Sequence, residues 1–556
     1  MPRDSRAVPI HCDKQPVTSA NGIVAANHPL GAAAGLEMLA AGGNAVDAAV
    51  ATLLTLTVVE PMMVGLIGGG MMHIRTSAGE HVVIDGQSQA PAAADAEMFT
   101  PVSDDIATRL ETLDRNNAVG PLATATAGNL KSWALALEAY GTFCLADVIE
   151  PAIRHAGRGF RTTGYLHECV LETATDLAAD RRMASLYLPQ GRAIEPGTRL
   201  VQPQYAETLA AIANAGVEAL HGGVVGQAVA DYMAKHGGCL TLDDLSNYEP
   251  LTRAAVRGTF HGVEIVGPPP PSSGGVHLIQ MLNILEGFDL AGMGYGSVPA
   301  IHLLAEVMKI AFADRDASTG DPAFVDVPVK RLLSKEYATQ RRAQLDVNVA
   351  KSWMPSANSA LSDSHTTHMT ALDRDGMCVV ATHTINSLFG ARFIVGETGM
   401  IANNYMHLFD PHSGRALSIA PGKRVPTSMS PIMALHDGKL AFALGLTGGV
   451  RIFPSAMQAI VNIVVHGMDL QAAIEAPRVW TQGGVLELET SLAVHAAELA
   501  AMGHEPVASL HLGGGMNGVR RVRDEIFEGG ACWRADGAAL ASGGGAARTG
   551  TRFRPD

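Results

Sequence analysis

The sequence predicts an α+β fold in which antiparallel sheets pack against layers of helices. Three observations predict it. The 556-residue chain is 47% hydrophobic and only 17% charged, enough apolar content for a large buried core. Helical periodicity dominates up to residue 350, and strand-like alternation dominates after it. The strand segments are joined as hairpins rather than through regular β–α–β units, which favours antiparallel sheets segregated from helices.

The first 20 residues are polar and read as a loose arm. A short strand is expected at 22–26. An alanine-rich helix at 31–41 is stopped by Gly42-Gly43. Asn44 then caps a second helix reaching Val59, with Asp47 in its first turn. This helix pair is almost wholly apolar and should be buried. Gly68-Gly69-Gly70 leads into a hairpin of strands 71–75 and 81–85 around Ser77-Ala78-Gly79. Residues 96–118 are charged and polar, a surface stretch. Leu130, Trp133, Ala134 and Leu137 follow the helical spacing of a segment closed by Gly141. Further helices are expected at 145–156, 204–215, 224–235, 276–285 and 299–314, with a hairpin at 256–267. The run 268–275, four prolines then Ser-Ser-Gly-Gly, reads as a stiff loop opening into a helix. Residues 351–365 form a polar loop. Strands follow at 366–372, 377–385, 429–435, 440–446 and 485–487. Helices at 454–466 and 470–476 lie between them, and 518–538 returns to β.

Lys and Arg number 40 against 54 Asp and Glu, a net charge of −14, which argues against a nucleic-acid partner. The longest apolar run, 48–59, is shorter than the ~20 residues a bilayer needs, so no membrane span is expected. Met1 to Arg6 lead into no apolar segment, so no signal peptide is visible. Cys12, Cys144, Cys169, Cys239, Cys378 and Cys532 are scattered without a Cys-x-x-Cys, as in the reduced thiols of a cytoplasmic protein.

The boundary at residue 365 carries the most chemical information. A threonine hydroxyl is a weak nucleophile that needs an adjacent base. Cleavage of the chain just before the threonine supplies one, because the new α-amine has an ordinary pKa of about 7.7–8.0. Thr366-Thr367 at the mouth of a strand would suit this chemistry, although a half-buried β-branched pair is the plainer alternative. His365 and His368 are three apart and point to opposite faces of a strand, so no metal site is read there. The glycines at 65–70 lack a Gly-Lys-Ser/Thr and read as tight backbone packing, not a phosphate loop. No cofactor is implied.

The stretch from Thr366-Thr367-His368-Met369-Thr370 to Asp375-Gly376 resembles the start of the small subunit in the γ-glutamyltransferase (γ-glutamyl transpeptidase) family of N-terminal-nucleophile hydrolases. The likeness recurs through Ala41-Gly42-Gly43-Asn44-Ala45-Val46-Asp47, Pro271-Ser272-Ser273-Gly274-Gly275, Asn403-Asn404-Tyr405-Met406, Ser428-Met429-Ser430-Pro431 and Gly448-Gly449-Val450-Arg451. Within the family, Val58 to Met63, 282–287, 417–424 and 531–537 look similar to bacterial cephalosporin acylases that remove a glutaryl-type side chain. The resemblance implies a four-layer αββα fold, with two stacked antiparallel sheets between helical layers. It implies self-cleavage between His365 and Thr366, giving a helix-rich large chain, 1–365, and a strand-rich small chain, 366–556. The two would stay associated as one intertwined domain. Thr366 is then the nucleophile, Thr384 orients it, and the Gly448 and Gly449 N–H groups receive the oxyanion. Asn386, Thr427 and Ser428 match the family's substrate contacts.

The sequence departs from the family where an amino-acid head group is held. Gln87 stands in place of the arginine for the α-carboxylate. Leu408, after His407, stands in place of the aspartate for the α-amine. Each charge-assisted hydrogen bond contributes about 1.5–3 kcal/mol, so losing two should strongly weaken γ-glutamyl recognition. The expected substrate is therefore a small-molecule amide of a glutaryl-like acyl group, with water or an amine as acceptor. Its distal carboxylate needs a cation, and Arg392, Arg451 and His407 are the candidates. The alternatives are a true γ-glutamyl transferase or glutathione hydrolase and, from a different class, an unprocessed, non-catalytic binding scaffold.

Overall fold

A computed structural model describes residues 14–104, 108–353, 364–523 and 525–543. Most of the expected N-terminal arm, most of the polar loop at 351–365 and the glycine run after Gly543 lie outside the described residues.

Two seven-stranded antiparallel sheets form the centre. One runs, in order, through Val17–Ser19, Ile526–Ala531, Met516–Arg523, Lys439–Leu446, Ile432–His436, Val263–Gly267 and Val256–Phe260. The other runs through Ala538–Ala541, Gly22–Ala26, Ser364–Asp373, Cys378–Ser387, Gly69–Arg75, His81–Asp85 and Leu251–Arg253.

The alternation of side chains along these strands divides the interior into layers. Met369, Ala371, Val379 and Ala381 pack with Leu53, Leu54 and Trp133 from helices Ala45–Val59 and Asn129–Tyr140. Ile432, Ala434, Phe442 and Leu444 pack with Leu278, Met308 and Met457 from helices Ser273–Leu285, Val298–Ser318 and Ile452–Val464. The intervening positions Leu372, Cys378, Val380, Met433, Leu435 and Ala443 form a separate core between the two sheets. The order is helix, sheet, sheet, helix, as expected.

Helix Ala45–Val59 shows how the sequence writes one of these layers. The Asn44 side chain accepts from the Val46 and Asp47 N–H groups at 2.8 and 3.2 Å, and Asp47 Oδ2 accepts from the Asn44 N–H at 2.7 Å. That reciprocal cap satisfies N-terminal donors that burial would otherwise leave unpaired. All 15 residues are buried. At about 1.5–3 kcal/mol for each fully buried Val or Leu, packing outweighs the weaker helix propensity of its β-branched residues.

The structure corrects several expectations. Val17–Ser19 is an edge strand rather than part of a loose arm, because Val17 pairs with Gly529. Helix Ser273–Leu285 begins earlier than expected because Ser272 Oγ accepts from the Gly274 N–H at 3.0 Å. Helices Gly164–Leu177 and Arg181–Tyr187 were not anticipated. Among the described residues most helices precede residue 365, and the longest strands run from residue 364 onward. Both large sheets interleave strands from before and after residue 365. Among the described residues, no single helix is long and apolar enough to cross a membrane.

Candidate active site

Thr366 lies near the start of strand Ser364–Asp373 and is 2% exposed. It shares strand parity with Leu372, which faces the inter-sheet core, while Thr367 has the opposite parity. Thr367 Oγ donates to Glu60 Oε2 at 2.5 Å, at the end of the buried helix. Burial pushes the Glu60 carboxyl up to about 8, and nearby Asp536 adds to the effect against the Thr367 hydrogen bond.

The pairing with Cys378–Ser387 slips around Thr366. His365 is opposite Asn386, but Thr367 is opposite His383, so the partner strand carries one extra residue. Asn386 takes up this bulge with a left-handed φ of +82°. The bulge sets the Thr384 hydroxyl against the peptide bond that precedes Thr366. Thr384 Oγ donates to the His365 carbonyl and accepts from the Asn386 N–H at 2.8 Å. The Met63 carbonyl, at 3.1 Å, is a second acceptor for the same hydroxyl.

The other sheet supplies the opposing wall. The Gly448 N–H donates to Thr366 Oγ at 3.1 Å. Gly448 has φ +123°, and a Cβ there would lie 2.7 Å from Gly513 Cα, so both backbone and space require glycine. Gly449 starts a turn, Gly449–Arg451, running directly into helix Ile452–Val464. Backbone N–H groups at a helix N-terminus favour negative charge.

A cleft at this point is lined by Thr366, Thr384, Asn386, Thr427, Ser428 and Gly449 among the nominated residues, together with Arg315, Tyr405, Pro426, Leu408, Met429, Val450 and Ile452. The Thr427–Ser428 loop is fixed to the Ser272-Ser273 turn. The Ser273 N–H and Oγ both donate to the Thr427 carbonyl, at 2.8 and 2.9 Å.

Gly448 and His365 are not in this lining but hydrogen-bond to Thr366 and Thr384 respectively, which are; the nominated Gln87, His407, Arg392 and Arg451 do not line the cleft either. Gln87 is buried with its Nε2 3.2 Å from Met429 Sδ, so Met429 is the residue beside it that reaches the lining. His407 sits on the turn Tyr405–Leu408, whose Tyr405 and Leu408 line the cleft instead. Arg451 is paired with Glu487 at 2.7 Å and stacks 4.3 Å over the Trp480 ring. Arg392 pairs with Asp176. These two arginines form structural ion pairs, and the cation among the described residues lining the cleft is Arg315, which sequence reasoning missed. It sits in the last turn of a helix whose preceding residues spell out a core pattern.

Outside the cleft lining, His302, Glu306 and His504 are close enough to share a metal ion. Their donor atoms are already engaged: His302 Nδ1 bonds His504 Nε2 at 2.8 Å, and Glu306 holds the Lys309 ammonium at 2.7 Å. The lysine takes the place a cation would need, so the trio fits a structural network better than a metal centre.

The family model described as Gamma-glutamyltranspeptidase matches residues 31–542. The chain belongs to this family. It is 55% identical over 549 residues to the Acylase ACY 1 proenzyme of Pseudomonas sp. strain SE83, covering 99% of this chain and 98% of that one. It is 35% identical over 477 residues to the Glutathione hydrolase proenzyme of Escherichia coli strain K12, covering 83% and 81%. The crystal structure of cephalosporin acylase from Bacillus halodurans superposes with a TM-score of 0.86 at 28% identity, covering 98% of this chain and all of that one. The fold is that of an N-terminal-nucleophile hydrolase, and the protein is an enzyme of the hydrolase class.

Proposed function

We propose that the chain cleaves itself between His365 and Thr366 and then acts as a threonine acylase on amides whose acyl group carries no ammonium. In the uncut chain, Thr366 Oγ attacks the His365 carbonyl carbon while the Thr384 hydroxyl hydrogen-bonds the carbonyl oxygen. The C–N bond breaks, Thr366 N takes up a proton as an amine, and His365 is left as an ester on Oγ. Water hydrolyses that ester, giving the His365 carboxylate and a free Thr366. Strands from both sides of the cut alternate in the sheets, so the two chains stay together.

In turnover, the new amine accepts the proton from Thr366 Oγ as Oγ attacks the substrate carbonyl. The Gly448 N–H, already on Oγ, and the Gly449 N–H are the donors for the developing oxyanion. The leaving amine takes the proton, and water or another amine releases the acyl group.

One observation carries the substrate reading. Among the described residues lining the cleft there is no carboxylate, and Leu408, which by the family resemblance stands in place of an aspartate, is part of that lining. An ammonium would be desolvated there without a partner. A glutaryl-like acyl group suits the cleft better than a γ-glutamyl group. The similarity to an acylase proenzyme across nearly the whole chain supports the same reading. Release of nitroaniline from glutaryl-p-nitroanilide and γ-glutamyl-p-nitroanilide tests it. The expected result is a higher kcat/KM for the glutaryl compound, and a large γ-glutamyl preference overturns the assignment.

A further inference from the structure

We infer that Arg315 anchors a distal carboxylate on the acyl group, making dicarboxylic acid monoamides the preferred substrates. The inference rests on the acylase reading above and names the residue that sets its specificity. Arg315 is the one charged residue among the described lining of the nucleophile's cleft. Its Nε–H donates to Ser273 Oγ at 3.2 Å, and Ser273 Oγ donates to the Thr427 carbonyl at 2.9 Å. The guanidinium is therefore held from behind by the same turn that fixes the Thr427–Ser428 loop.

Its two terminal amino groups are left for a ligand. Among the described residues they make no hydrogen bond, and the ion pair to Asp316 is long, at 4.0 Å. Asp316 has a second, nearer partner, Arg109, at 3.5 Å. The Arg315 side chain is only 11% exposed. Burial disfavours its charge, Asp316 favours it, and Arg109 adds repulsion. A buried cation with so weak a counter-charge is costly unless an anion meets it. A substrate carboxylate would do so through the two parallel N–H groups that an arginine presents. Leu408, Met429, Val450 and Ile452 supply apolar wall for the methylenes between that carboxylate and the reacting carbonyl. Thr366 and Arg315 thus line one cleft.

The test uses the self-cleaved enzyme with glutaryl-p-nitroanilide and pentanoyl-p-nitroanilide, in which a methyl replaces the carboxylate. Arg315→Met should lower kcat/KM for the glutaryl compound about 10- to 150-fold, mainly through KM. It should change the pentanoyl value by no more than about threefold. Arg315→Lys keeps a charge but loses the fork, so it should fall between methionine and wild type. Equal losses on both substrates, or none on either, overturn the inference. Should Arg315→Met fail to mature, inhibition of the wild-type enzyme decides. Glutarate inhibiting at a concentration at least about tenfold below that of pentanoate supports the anchor, and equal inhibition rejects it. The two claims fail differently. A wild-type enzyme active only on γ-glutamyl-p-nitroanilide removes the acylase reading and this inference with it. A glutaryl-active enzyme indifferent to Arg315→Met removes the anchor alone.

Discussion

Replacing Thr384 by valine keeps the side chain's shape and removes its hydroxyl. That hydroxyl donates to the His365 carbonyl and accepts from the Asn386 N–H at 2.8 Å. Two losses follow. The carbonyl that becomes an oxyanion during self-cleavage loses its side-chain donor, and removal of one such donor typically slows a reaction ~10²–10³-fold, or about 2.7–4 kcal/mol. The buried Asn386 N–H loses its acceptor, which costs about 1–3 kcal/mol of stability at a residue already in a left-handed conformation. The Thr384→Val precursor should therefore persist, splitting about 10²–10³ times more slowly than wild type. Thr384→Ser, which keeps the oxygen, should split at close to the wild-type rate. Freshly purified precursor incubated at constant temperature and sampled on denaturing gels gives both rates. A Thr384→Val protein that matures within about threefold of wild type refutes the assignment of this hydroxyl to the scissile carbonyl.

Other consequences follow from the same geometry. Gly448→Ala would put a Cβ 2.7 Å from Gly513 Cα and force a residue with φ +123°, displacing the N–H on Thr366 Oγ. Its kcat should fall ~10²-fold or more, with self-cleavage impaired in the same variant, both read on the purified protein. Leu408→Asp puts a carboxylate into the cleft lining. It should raise kcat/KM for γ-glutamyl-p-nitroanilide by about tenfold or more and lower it for the glutaryl compound, and unchanged preference would count against the reading of the cleft. Glu60 keeps its proton in the folded state up to about 8, whereas an unfolded glutamate loses it near 4.5. Between those values the folded state binds more protons, so this group makes stability fall as pH rises. Glu60→Gln, which keeps an oxygen for Thr367, should melt higher than wild type at pH 8, with the difference closing toward pH 5.

Local signals carried well. The Asn44–Asp47 cap is written in adjacent residues, and it starts the buried helix where the sequence placed it. The hairpins at 69–85 and 364–387 follow from alternation and turn residues, and they form as expected. Thr366, Thr384 and Gly448 were legible because family motifs mark them, and the structure brings them together. Arg315 was not legible, since nothing in its own helix distinguishes a cleft cation from a terminal helix arginine. Its place depends on Ser273 and, through it, on the Thr427 loop more than a hundred residues further along. The substitution at Gln87 was readable but its surroundings were not: Met429, 342 residues away, lies beside it and reaches the cleft lining. That the two parts intertwine was expected from the family resemblance, but the order in which their strands pair was hidden for the same reason. Short strands such as Val17–Ser19 have no periodicity of their own and are defined only by the partner they pair with.

The central claim is that Thr366 becomes a free N-terminal nucleophile by cutting its own chain. Intact mass of the purified protein under denaturing conditions, with N-terminal sequencing of each species, tests it most directly. The account predicts two chains, 1–365 and 366–556, the second beginning with Thr366, and a single uncut chain for Thr366→Ala. A wild-type protein that remains one 556-residue species while cleaving substrate, or a Thr366→Ala protein that still splits at 365, contradicts it.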